Sequence, residues 1–485
     1  MLAGAARPRS WTARVRDLLL RRYVLFPLIA VVVALATLVE VRTSAVQALV
    51  LSHAAAVLTY GVEAGPSPAI RFPRTGPYDE RLGYTRLAGF VERLEGAGYR
   101  VERQARLSPG LDRLAAWGVA LPYREKTRAG LEVLDRGQRP LYATRYPEQV
   151  YERFETVPAL LVNTVLFIEN RKLLETGHPF RNPVVDWRRL AKAVGVEAIG
   201  RLGGERHSIG ASTLPTQLEK LRHSPDGRTR SPGDKLHQMI SASLRAYQGG
   251  AQTGATRRQI LVDYLDSLPL AAAPGHGEVH GMGDGLRVWY GLDFKEANAL
   301  LAAKPAVSDA ARAHVFKRAL SLILAVRRPY HYLVENPRAL EEFTDSYLRV
   351  MARAGVIDAG LRDAALAARL APRPGSGPAT VAFVERKGAN LVRSRLTTLL
   401  NVPGLYDLDR LDLTASSTLD ARGQEAAARL LRSLREAATI ERLGLVGEKL
   451  LGGGDPARVL YSVTIYERGP HANRVRIQTD NLDQP

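Results

Sequence analysis

Apolar residues follow four different rhythms along this chain. From Tyr23 to Val41, YVLFPLIAVVVALATLVEV is apolar apart from Thr37 and Glu40. A helix of that length, rising about 1.5 Å per residue, nearly matches a hydrocarbon core of about 30 Å, so the run predicts a transmembrane helix. Residues 42–62 stay mostly apolar and predict a helix continuing from it, until glycines and prolines punctuate 65–77. A small mixed unit follows. TRLAGFVERLEGAGYRVERQARL places Leu87, Val91 and Leu94 at helical spacing, and GLEVLDRGQRPLYAT alternates as two strands turning at 135–137. From about Val157 to Leu370 the period is helical almost throughout, broken at 177–183, 203–210, 224–233 and 269–285. After the linker APRPGSGP, RLDLTASSTLD predicts a strand, 424–437 a helix, and RVLYSVTIYERGPHANRVRIQT a hairpin.

These rhythms divide the chain into a tail (1–22), a transmembrane helix (23–41), a membrane-proximal helix with a small α/β unit (42–150), and a helical main domain (151–370). A linker and C-terminal α/β segment (371–485) completes it, read as the start of a further domain because its last strands have nothing obvious to pair against. Six arginines and one aspartate precede the apolar run, so the positive-inside rule keeps the N-terminus cytoplasmic and exports the body. A cleaved signal peptide is the competing reading, but the run is long and no clean small-x-small site follows it. The formal net charge is +19, and the body keeps +14 without that tail. An exported basic body implies an anionic membrane surface or substrate rather than nucleic acid. No cysteine is present, which excludes thiolate metal sites and cysteine nucleophiles.

Candidate chemistry gathers in the helical domain. Glu169 follows the apolar run 165–168, where a buried helix meets a cleft and a carboxylate can serve as a general base. Lys220, Arg222, His223, Arg228, Arg230 and Lys235 lie close together around SPDGRTRSPG, a loop able to fold round two phosphates. HGEVHGMGD offers His276, Glu278, His280 and Asp284 as alternate positions for zinc if extended, but its glycines fit better as a loop of close backbone approach. No Ser-x-x-Lys with a following Lys-Thr-Gly marks a transpeptidase site.

IENRKL, VDWRRLAKAV, GASTLPTQLEK, DKLHQMISASLRAY, TRRQILVDYLD and GHGEVHGMGDGLRVWYG follow one another in that order. The series resembles the motifs of family 51 glycosyltransferases, the peptidoglycan-polymerising domains of class A penicillin-binding proteins and their monofunctional relatives. The resemblance covers about 154–358, and LTASSTLDARGQEAAARL is similar to the linker that follows such domains. It implies a mainly α, lysozyme-like fold flanked by small α/β units. It also implies a single-pass protein of the cell inner membrane with a periplasmic or extracellular body, polymerising lipid-linked disaccharide diphosphate (lipid II) with inversion at the anomeric carbon. Carried over, Glu169 is the base acting on the acceptor 4-hydroxyl. Ser212, Thr213 and Gln217 order the donor site, Lys220 and Lys235 meet the diphosphate, and Arg228 or Arg230 supplies the loop arginine.

The departures are Asn170 for aspartate, Leu173 for phenylalanine, Asp234 for arginine, Asp266 for asparagine and Gln238 for the family's second glutamate. An amide cannot exchange a proton or readily hold a hard cation; the one candidate cofactor is a divalent ion (Mg or Mn), and the residues leave its requirement open. The expected partners are the lipid-linked substrate, the growing glycan strand, the membrane and other cell-wall synthesis proteins. The rival to an enzyme is a catalytically impaired relative that binds lipid-linked glycan and scaffolds wall synthesis.

Overall fold

The computed structural model describes residues 26–187, 212–303, 309–373, 387–448 and 454–482. Within these the chain is mainly helical with four small sheets. The apolar run forms the helix Phe26–Thr43, two residues longer at its end than the spacing predicts, with no residue buried against protein. The tail 1–22 lies outside the described residues. The expected continuous helix instead turns at Ser44, which takes left-handed φ and ψ. The Glu40 carboxylate accepts the N–H groups of Val46 (2.8 Å) and Gln47 (3.0 Å), capping a second helix, Ala45–Val57. Those donors have no intrahelical acceptor, so a carboxylate there satisfies them.

The strands Leu131–Leu134 and Pro140–Ala143 pair antiparallel as the alternation predicts, with Asp135 Oδ1 accepting the turn N–H groups of Gly137 and Arg139 at 2.7 and 2.9 Å. Leu131–Leu134 also pairs parallel with Leu413–Ser416. Leu131 and Val133 share a core with Leu400, Val402, Leu408 and Leu411. The segments on either side of the helical domain therefore build one sheet-and-helix module. The strands Ser462–Glu467 and Arg474–Asp480 pair with each other and pack on the helix Ala421–Ser433.

The helical domain wraps Ala159–Ile168, Gly254–Asp266, Gly281–Tyr290 and Asp309–Ala325 around one large core that includes Leu161, Val165, Leu261, Leu265, Leu286 and Phe316. The glycines expected in a loop lie instead in the helix Gly281–Tyr290, after a hairpin of Pro269–Ala273 with Gly277–His280. Close approach is still their role. A side chain on Gly283 would collide with the Gln149 carbonyl, and Gly281, at φ +81°, presses on the Asp266 carbonyl.

Candidate active site

The helix Ala159–Ile168 buries Leu161, Val162 and Val165 and ends on Glu169, whose N–H still bonds the Val165 carbonyl at 2.9 Å. The helix dipole is negative there, so a carboxylate needs local donors. Two other helices supply them. Gln217 Nε2 donates to Glu169 Oε2 at 2.8 Å, and the Tyr264 hydroxyl donates to Oε1 at 3.3 Å. Burial, and then the neighbouring Glu169 charge, pushes the Tyr264 phenol well above its ordinary range. It therefore stays protonated and remains a donor.

Gln217 lies on the helix Leu214–His223, which Pro215 helps start from Thr213. Lys220 stands three residues on, and positions i and i+3 share a helix face with Cβ atoms about 5–6 Å apart. Lys235, on the helix Pro232–Ala246, donates to Ser212 Oγ at 2.8 Å. Burial and then the Lys220 charge lower its pKa to about 8. Among the described residues neither lysine has an ion-pair partner. Two ammonium groups standing together without an acid between them can receive a polyanion. Thr213 is turned inward, buried, with its hydroxyl donated to the Val184 carbonyl at 2.8 Å.

The basic loop divides. Gln238 is buried, its Nε2 donating to Ser224 Oγ at 2.8 Å and its Oε1 accepting from Thr229 Oγ1 at 3.1 Å, so its amide ties both ends of the loop. Asp234 and Ser231 form a capping box, Ser231 Oγ accepting the Asp234 N–H at 3.0 Å and Asp234 accepting that of Ser231 at 3.0 Å. Arg230 is exposed and paired with Asp226, and Arg228 is exposed. The structure thus gathers Glu169, Gln217, Tyr264, Lys220, Lys235 and Ser212, and leaves both loop arginines in solvent.

Residues 138–352 match the family model described as transglycosylase. This segment belongs to the peptidoglycan glycosyltransferase family. No curated protein matches the chain. The match begins before the strand Pro140–Ala143, so the transglycosylase domain includes one strand of the flanking sheet. Among the described residues the Gln238 position offers no donor set for a hard divalent cation. The Gln238 amide oxygen already accepts from Thr229, and no group of three His, Asp or Glu suited to a metal occurs among the described residues. In the His276–Asp284 segment, Asp284 accepts the backbone N–H groups of Glu148 and Gln149 at 2.9 Å each, which spends its carboxylate on the fold.

Arg222 and His223 are not part of the phosphate-facing surface, contrary to the grouping read from the sequence. They turn into a buried junction between the transglycosylase domain and the flanking unit. His223 Nδ1 lies 2.7 Å from Asp79 Oδ2 and Nε2 lies 2.6 Å from Glu125 Oε1. Arg222 pairs with Glu125, and Arg245 reaches Glu125 and Glu219 at 2.6 Å each. Burial alone would raise the Glu125 carboxyl, yet Arg245, Arg222 and His223 hold it well below the usual carboxylate range. Burial opposes the charged form of His223 as well, but Glu125 and Asp79 push it up to about 9. The junction fixes the helix carrying Gln217 and Lys220.

Proposed function

We propose that this protein is a membrane-anchored transglycosylase that polymerises lipid-linked disaccharide diphosphate into glycan strands with inversion. The observation that carries the reading is the pairing of a carboxylate held by Gln217 and Tyr264 with two acid-free lysines, Lys220 sharing the Gln217 helix face. Glu169 takes the proton of the acceptor 4-hydroxyl as that oxygen attacks the anomeric carbon. The bond to the diphosphate breaks on the opposite face, and Lys220 and Lys235 meet the charge that develops there. A diphosphate leaves well when fixed cations stabilise it, so one carboxylate and two ammonium groups form a sufficient set. The apolar helix Phe26–Thr43 supports the anchoring and the inner-membrane location.

A second reading, a relative that binds lipid-linked glycan without turnover, is favoured by Gln238, whose amide is spent on Ser224 and Thr229. Incubating the detergent-purified chain with lipid-linked disaccharide diphosphate separates the two. Polymer supports the enzyme; binding without product supports the scaffold; neither binding nor product removes both.

A further inference from the structure

The helix Ala45–Val57, AVQALVLSHAAAV, carries no acidic, lysine or arginine side chain. It lies outside the transglycosylase match. Its polar side chains are Gln47, Ser52 and the exposed His53, and a helix otherwise this apolar needs cover on more than one side. Protein covers only one. Ala48, 1% exposed, packs with Leu51 against Val184, Ala242, Ala246 and Tyr247, and Gln47 accepts from Asn182 Nδ2 at 3.1 Å. On the opposite face Val46, Leu49, Val50 and Val57 are exposed by 62, 70, 59 and 57%. Val46, Leu49 and Val50 make one continuous apolar patch at the end nearest Ser44, and the exposed His53 follows on the same face before Val57.

We infer that this face is embedded in the bilayer, so that residues 45–57 form a second membrane-inserted segment lying in one leaflet between lipid and the transglycosylase domain. Continuity identifies the occupant. Only Ser44 separates this helix from the apolar helix Phe26–Thr43, and the Glu40 carboxylate of that helix caps it, so lipid around the first helix reaches the second. Thirteen residues rise about 20 Å, too short to cross. The far end meets aromatic residues suited to the headgroup level. Tyr60 is half-exposed, and Ser108 Oγ donates to the Val57 carbonyl at 3.2 Å, bringing up the helix Pro109–Ala116 and the exposed Trp117 at its end.

The consequence deepens the proposed function and rests on reading 26–43 as a span. Ala242, against which Ala48 packs, lies seven residues after Lys235 on one helix, about 10 Å along its axis. The embedded helix thereby fixes how far the lysine pair stands from the lipid that carries the substrate.

The chain has no cysteine, so spin labels can be placed singly at V33C, L49C, V50C and, as a water-facing control, E425C in the full chain reconstituted in vesicles of anionic and zwitterionic phospholipid. The expected result is a several-fold higher ratio of oxygen to nickel-chelate collisions at 33, 49 and 50 than at 425. Labels at 49 and 50 that meet the nickel chelate as freely as 425, or that are shielded from both quenchers as in a contact between two copies, overturn the inference while 33 stays in lipid. A label at 33 open to the chelate overturns the span itself and this inference with it. None of these readouts depends on turnover.

Discussion

Replacing Lys235 by arginine tests the lysine pair through its protonation. Lys235 has a pKa of about 8, lowered by burial and then by Lys220. At that value about one Lys235 in ten is neutral at pH 7 and about nine in ten at pH 9. The active form is the cation, so activity is present below pH 8 and lost as pH rises through it. Because kcat/KM reports the free enzyme, it should fall about tenfold per pH unit above pH 8 in the wild type. A guanidinium stays charged throughout. In Lys235→Arg the alkaline limb therefore moves up by about two units, although the peak is lower because the larger head does not reproduce the 2.8 Å contact with Ser212. The assay is polymerisation of lipid-linked disaccharide diphosphate between pH 6 and 10. Coincident alkaline limbs in the two proteins, or a wild-type profile flat to pH 10, would refute the role given to Lys235.

Tyr264→Phe removes one of the donors to Glu169, and a hydrogen bond to a charged group contributes about 1.5–3 kcal/mol. The variant should lose about tenfold or more in kcat with KM unchanged, whereas Tyr290→Phe, which breaks a buried contact to Ser321, should change melting but not kcat. His223→Gln should destabilise the fold by about 3–5 kcal/mol, since it leaves the buried Asp79 carboxylate without its cation while Glu125 keeps Arg222 and Arg245. The His223 pKa is raised from 6.5 to about 9, so its contribution is complete below pH 6.5 and is lost as pH rises through 9. Denaturant titrations of wild type and variant should converge above that pH. Asp266 titrates at about 8, raised chiefly by burial, with Oδ2 unpartnered. The fold thus retains a proton that the unfolded chain has lost, and stability falls as pH rises from about 4 to 8. Asp266→Asn should melt with the wild type near pH 4 and several degrees above it at pH 8.

Much of the site was legible because it is local. Glu169 follows its apolar run directly, and Gln217 and Lys220 share a helix face by spacing alone. The sorting of the basic loop was not. Arg222 and His223 lie on the other side of that helix, and their partners Asp79 and Glu125 are about a hundred or more residues upstream. Charge density in a window cannot show which cations a distant segment has neutralised. Tyr264 had a weak signal in YLD, but its contact with Glu169 depends on how two helices cross. The parallel pairing of Leu131–Leu134 with Leu413–Ser416 spans some 280 residues, and no local period encodes it. The break at Ser44 was hidden because both helices are apolar, and the turn depends on Glu40 reaching forward to cap the second.

The account depends most directly on Glu169. Glu169→Gln keeps the shape and an acceptor for Gln217 while removing the base, whose contribution to such reactions is about 10²–10⁴-fold. Wild type and variant should bind lipid-linked disaccharide diphosphate alike and melt alike, while only the wild type extends glycan chains at a measurable rate. Polymer made equally fast by the variant would contradict the account.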